Sequence, residues 1–260
     1  MKLHRIQALL YRHTYPLRRD FDLLSDMIYW PMVDTVLWGV TSQWLSDSAG
    51  GTSIVASILL GLVLWNIIWR SQAEVSRNLM DEIWNNNLVN LFSTPLTVPE
   101  WVSSVLILSI VKTSITLSLL IPVVFLLYSV NVFALGLWLP VLFLGATMTG
   151  WWLGFISAGI VLRYGPKVQT VIWTLPGILL PFSAIFFPLE RLPIFLQPIS
   201  RAIPTTYVLE TMRSILAGTG VSGEYMVLAL GLNTLYVLGS LYFFYRSFLY
   251  SANLGLGRFN

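Results

Sequence analysis

Two ionisable residues stand alone inside long apolar stretches of this 260-residue chain, Asp34 and Lys112. A charge at such depth is costly in lipid, so it faces a partner, water or a path for cargo. Lys112 reads either as a path residue or as a side chain snorkelling to the headgroups from a long helix. Asp34 reads either as a path residue or as a structural hydrogen-bond acceptor, and the two could pair with each other. Other chemistry is missing. The chain has no Cys, which excludes a thiol nucleophile, a disulfide scaffold and Cys-bound zinc or iron–sulfur. Its two histidines, His4 and His13, precede the first apolar block, so neither a Ser–His nor an H-E-x-x-H centre can sit within the blocks. Gly145 and Gly150 have the glycine spacing of a P-loop, but Trp151 and Trp152 stand where Lys and Ser/Thr belong. An enzyme is not expected, nor a metal or cofactor bound by this chain.

The elements that position these residues are set by composition. Apolar residues make up 56% and charged residues 10%, against about 25% charged in a soluble domain. Mean hydropathy is +0.73. The apolar residues come in blocks long enough for a bilayer, which needs about 20 per helix. An all-α membrane protein with six spans is expected, over 27–45, 53–69, 101–128, 135–162, 168–187 and 225–245. The first block follows the charged residues 1–22 and is rich in aromatics, so it does not read as a secretory signal peptide.

Basic residues give the orientation. With both termini cytoplasmic, Lys2, Arg5, Arg12, Arg18, Arg19, Arg70, Arg77, Arg163, Lys167, Arg246 and Arg258 fall inside. Arg191, Arg201 and Arg213 fall outside. The net charge of +3 is therefore mostly a topological signal, and nucleic acid is not an expected partner.

Three segments lie outside the spans. In residues 1–22, Leu3, Ile6, Leu10 and Leu17 recur at helical spacing, with Lys2, Arg5, Arg12 and Arg19 off that face. Such a helix lies in the inner interface with its basic side toward anionic headgroups, and Pro16 kinks or ends it. In the inner loop, 78–97, Leu79, Ile83, Leu88 and Leu91 or Phe92 line one side of a short helix that is polar elsewhere. Residues 188–223 are rich in Pro and too apolar for a free loop, so short helices packed against the outer mouth are expected. Pro176 and Pro181 should bend the fifth span. Gly150-x-x-x-Gly154 is a helix-packing pattern for a dimer or bundle interface. Most Trp and Tyr mark interfacial belts, while Trp65 and Trp151 are candidates to line a path for amphipathic or sugar-bearing cargo.

In this order the segments resemble the membrane subunit of ABC-2 type ABC transporters, the permeases of bacterial exporters, over essentially the whole chain. The resemblance rests on the basic interfacial helix and YWPMVDTVLWG at 29–39. It rests further on SRNLMDEIWNNNLVNLFSTPLTVPEW at 76–101 and FPLERLPIFLQPISRAIPTTYVLETMRSIL at 187–216. It implies a permease of the cell inner membrane that pairs with a second copy, as a homodimer. Two separate ATP-binding subunits would dock beneath and hold the ATP and Mg. Asp81, Glu82, Trp84, Asn85 and Asn87 would then form the coupling helix that contacts them. Phe186, Phe187, Pro188, Tyr207, Glu210 and Arg213 would stand near an outer gate built of re-entrant helices, with Glu210 and Arg213 paired. Asp34, Asn66 and Lys112 would line the substrate path, and the cargo would be a drug, a lipid or a lipid-linked glycan. The alternatives from the residues alone are a gradient-driven carrier or channel, and a non-transporting scaffold.

Overall fold

The computed structural model describes residues 1–15, 21–49 and 53–256, and all regular structure among them is helical. The expectations for Pro16, Leu17, Arg18, Arg19, Arg258 and the tip of the first outer turn lie outside the described residues. Ten α-helices follow in order: α1 Leu3–Thr14, α2 Phe21–Ala49, α3 Ser53–Trp84, α4 Leu88–Ser93, α5 Val98–Tyr128, α6 Leu139–Tyr164, α7 Val171–Leu179, α8 Gln197–Arg201, α9 Pro204–Leu216 and α10 Gly223–Asn253.

Among the described residues, four segments are long and apolar enough to cross a membrane: Ile54–Trp84, Val98–Tyr128, Val132–Tyr164 and Gly223–Asn253. α3 is the central one. In its most apolar window 78% of residues are buried, against 22% for α10. It packs on α6, α5, α2, α7 and α9. The outer helices turn large apolar side chains outward, among them Leu37 and Val40 on α2, Val111 and Leu126 on α5, and Val227 and Leu238 on α10. Such a surface suits lipid and not water.

Two of the six expected spans take a different form. α2 is 29 residues long, but Asp34, Tyr29, Trp30, Trp38 and Trp44 keep it less apolar than those four. The expected fifth span, 168–187, is not one helix. A 3-10 turn at Pro166–Val168 leads into the nine-residue α7, and a second turn at Leu180–Phe182 ends it. Pro176 and Pro181 remove the backbone donors that a continuous helix needs. The broken segment still follows α3 along its length. Ile172 O accepts from Gln72 Nε2 at 2.9 Å near one end, and Arg213 Nη2 reaches Ile185 O beside Ser57 near the other.

The boundary expected after Trp69 also moves. α3 continues without interruption to Trp84, because residues 70–84 contain neither Gly nor Pro and their charges are paired with one another, as Arg70 with Glu74, or with side chains of α1, α2 and α5. The expected coupling segment, 78–97, is therefore the last two turns of α3 followed by the six-residue α4. The apolar side expected there is buried: Leu79, Ile83, Leu88 and Leu91. Asn86 takes a left-handed φ of 51° at the turn between them. A capping box formed by Thr97 and Glu100, with Pro at the first turn, starts α5.

The Gly150-x-x-x-Gly154 pattern lies inside the bundle, on the α3 side of α6. A Cβ at Gly150 would stand 2.5 Å from Ile68 O, and one at Gly154 2.5 Å from Val75 Cβ. The glycines let two backbones approach within one chain, so this pattern is spent on the bundle and not on a second copy.

Candidate functional site

Midway along the bundle, α2, α3, α5 and α7 part to leave a cavity of about 370 Å³. Asp26, Trp30, Pro31 and Asp34 line it from α2, and Trp65, Asn66, Trp69 and Arg70 from α3. Thr116 closes it from α5 and Trp173 from α7. Helical spacing places Trp65 and Trp69 one above the other on the same side of α3, with ring centroids 6.4 Å apart. Trp173 continues this wall at 6.1 Å from Trp69. Three indoles thus form one continuous face, and Trp30 stands on α2 across the cavity.

Polar groups on this wall are incompletely satisfied. Asp34 is half-buried and makes no hydrogen bond or ion pair with any described residue. The Thr116 hydroxyl is buried without a partner. Asn66 donates to Leu62 O at 3.0 Å within its own helix. The structural hydrogen bond offered as one reading of Asp34 is absent, and Asp34 does not pair with Lys112.

Lys112 sits one helical turn from Thr116, outside the cavity lining, and is 3% exposed. It neither snorkels nor faces the cavity: its Nζ donates to Glu74 Oε2 at 2.7 Å. Glu74 also takes Arg70, four residues earlier on α3, and the side chain of Asn78. Arg70 Nη1 reaches Asp26 Oδ2 at 2.9 Å, and Arg77 Nη1 meets the same oxygen at 2.8 Å. The Arg77 guanidinium lies 5.3 Å from the Trp173 ring centroid. Three cations and two carboxylates therefore tie α2, α3 and α5 together directly beneath the indole wall. Buried charges of this kind persist only when paired.

α1 bridges the nearby ends of α5 and α3. Lys2 N donates to Glu100 Oε1 at 2.7 Å, and Arg12 Nη2 to Glu82 Oε2 at 2.8 Å. The buried face is Ile6 and Leu9, with His13 half-buried, while Leu3 is exposed. This corrects the expected apolar stripe, and Arg5 and Arg12 reach protein carboxylates and not headgroups alone. Burial pushes the His13 imidazole down to about 4, helped by Lys112 and Arg12 and opposed by Glu74. Glu82 lies 4.0 Å away, beyond hydrogen-bond reach, and offsets little of this. An undocked α1 carries an ordinary histidine, which binds a proton more readily than the docked one. Docking is therefore fully favoured above about pH 6.5 and weakens as the pH falls toward 4, by on the order of 3 kcal/mol. Limited proteolysis should release the 1–15 segment faster at pH 5 than at pH 7, and His13→Gln should flatten that dependence.

The residues expected on the coupling helix divide into two groups. Glu82 is buried, held by Arg12 and by Asn87 Nδ2 at 2.6 Å, so it anchors α1 and cannot meet an outside partner as expected. Trp84 is 56% exposed, with its Nε1 donating to Gln169 Oε1 at 3.1 Å, and Asn85 is exposed beside it. Asp81 is half-buried.

At the opposite end, Glu210 and Arg213 pair at 3.0 Å on α9. Glu210 accepts from Leu189 N at 2.8 Å, and Arg213 donates to Ala184 O and Ile185 O, so the pair staples the 184–189 turn onto the bundle. Phe186 stacks on Trp38 at 4.0 Å, linking that turn to α2. Tyr207 donates to Arg201 O at 2.8 Å. Phe187 is half-buried, and Pro188 is exposed at the start of the Leu189–Arg191 turn.

Sequence reasoning put Asp34, Asn66 and Lys112 on the path, with Trp65 and Trp151 as candidates; Asp34, Asn66 and Trp65 line this cavity, Lys112 and Trp151 do not, and Glu74, Asp26, Trp30, Trp69, Trp173 and Thr116 were missed. Glu74 carried a readable signal, the Arg70-x-x-x-Glu74-x-x-x-Asn78 repeat on one helical face. Trp173 carried none, since it belongs to a different helix, α7, and meets Trp69 only in the folded bundle. Trp151 packs elsewhere and donates to Ser109 Oγ at 2.6 Å. No family model matches the chain, and no curated protein matches it significantly.

Proposed function

We propose that the chain is the membrane-spanning subunit of an ATP-driven exporter for an amphipathic cargo, of the ABC-2 permease type. The observation that carries this reading is the indole-walled cavity midway along the bundle, with the unpaired Asp34 on its wall. Ligand sites are concave and mostly apolar, with a few polar groups that fix orientation. The arrangement proposed is six passes in the cytoplasmic membrane, α7 and its flanking turns making a broken fifth pass, with both termini inside. Two copies pair, and two ATP-binding subunits dock at the α4 end.

The coupling route follows from α3. One unbroken helix carries Trp65, Asn66 and Trp69 at the cavity and the exposed Trp84 and Asn85 at its end. A partner that presses on Trp84 therefore moves the indole wall directly. ATP drives the cycle only if the two permease states bind the closed motor with different affinity. Asp81→Ala with Trp84→Ala should reduce ATP-driven transport by about tenfold, the loss expected for an exposed Trp anchor at an interface. Glu82 is left intact in that test because it holds α1.

The experiment that decides the reading is gentle purification from the native membrane, with identification of the co-purifying chains and an ATPase assay. A stoichiometric ATP-binding subunit with vanadate-sensitive turnover supports the exporter, and a preparation without one removes it. The second reading is a carrier driven by an ion gradient, favoured by the unpaired Asp34 and predicting flux without ATP. The Glu74 contact weakens it, since Lys112 is already neutralised.

A further inference from the structure

We infer that the cavity recognises an organic cation, a quaternary or aromatic ammonium- or phosphonium-like head, held against the indole wall with Asp34 as its counter-ion. This deepens the exporter reading and rests on the cavity being the cargo site. Charge on the wall points to a cation. Arg70 is the one cation that lines the cavity, and it is matched by Asp26 and Glu74. Asp34 makes no direct pair with a cation among the described residues, so its carboxylate is left free on the cavity wall, while the one positive charge in excess in the network beneath is held on Asp26 and Glu74.

The walls supply the second part. Trp65, Trp69 and Trp173 form a continuous face, and Trp30 stands opposite. Aromatic cages of this composition attract cations through the negative faces of the rings, most strongly where water is excluded. Arg77 already uses Trp173 in this way, at 5.3 Å from the ring centroid. Cation–π contact is thus part of how this region is built. The third part is Thr116, a buried residue that lines the cavity and whose hydroxyl has no partner. Its oxygen lone pairs can turn toward the positive head without a hydrogen bond.

The test uses the full chain in detergent and tetraphenylphosphonium as probe, with tetraphenylborate as its anion of matching shape and maltose as a neutral sugar. Equilibrium dialysis should give saturable binding of tetraphenylphosphonium at one site per chain, at least about tenfold tighter than any saturable binding of tetraphenylborate. Asp34→Asn, which preserves size, should weaken it by about tenfold or more, and Trp30→Leu, at an exposed position, should weaken it as well. Binding that is absent, or equal for both ions, or unchanged in Asp34→Asn, overturns the inference. Saturable maltose binding in place of the cation overturns it too and assigns the cavity to carbohydrate. These outcomes are separate from the co-purification of an ATPase. A cation site in a chain without an ATPase partner retires the exporter and keeps the ligand class, and an ATPase partner without cation binding does the reverse.

Discussion

Glu74→Ala lowers the stability of the folded chain by about 3–5 kcal/mol, the loss expected when one member of a buried ion network is removed. Glu74 is 2% exposed and is the sole carboxylate within reach of Lys112 among the described residues. Its removal leaves an ammonium stranded in the interior and takes away one of the two partners of Arg70. Lys112→Met is milder, because Glu74 keeps Arg70. Combining Glu74→Gln with Lys112→Met should recover part of the loss, since the unpaired charge is then gone. Thermal unfolding in detergent checks this, with the single Glu74→Ala variant falling by on the order of 10 °C. A Glu74→Ala midpoint equal to that of the parent would mean that water reaches Lys112 and that the network is not buried.

Gly150→Ala should cost about 1–3 kcal/mol, and Gly150→Leu should prevent assembly of the bundle. The new Cβ would stand 2.5 Å from Ile68 O and 2.9 Å from Gln72 N, both backbone atoms of α3 that cannot swing aside. The α3–α6 contact would have to open along its length, and Gly154 has the same constraint from Gln72 O. Gly177 in α7 has nothing within 4 Å of its would-be Cβ, so Gly177→Ala is the matched control. It should be neutral or slightly stabilising, because alanine favours the helix. Yields of monodisperse protein and unfolding midpoints for the three variants give the comparison.

The helical class and the membrane-crossing character were legible in the block pattern, because apolar length is a property of the chain alone. The boundary after Trp69 was not. Hydropathy falls at Arg70 as it would for a loop, yet Arg70, Glu74 and Asn78 satisfy one another at i,i+4 spacing and let the helix continue. The burial of Glu82 was not legible for a related reason. An acidic residue near a helix end reads as exposed until the partner from α1, seventy residues away in sequence, is seen to cover it. Asp34 and Asn66 were picked out as path residues by type and depth, and they do share one cavity. Lys112 shares those features but faces Glu74, and no single-chain pattern specifies which neighbour a long side chain meets. The indole wall was half visible. Trp65 and Trp69 are one turn apart on one helix, whereas Trp173 comes from α7, about a hundred residues on, through a tertiary contact that no spacing in the chain carries.

In the proposed function this cavity is the cargo path, and ATP changes its exposure. The chain has no native Cys, so Thr116→Cys places a unique thiol on the cavity wall. Labelling by a membrane-impermeant maleimide would be measured on oriented vesicles containing the complex, with and without vanadate trapping. The thiol should be reached from one face in the resting state and should lose that access, or exchange it for the other face, when trapped. Equal reactivity in both states would contradict the claim.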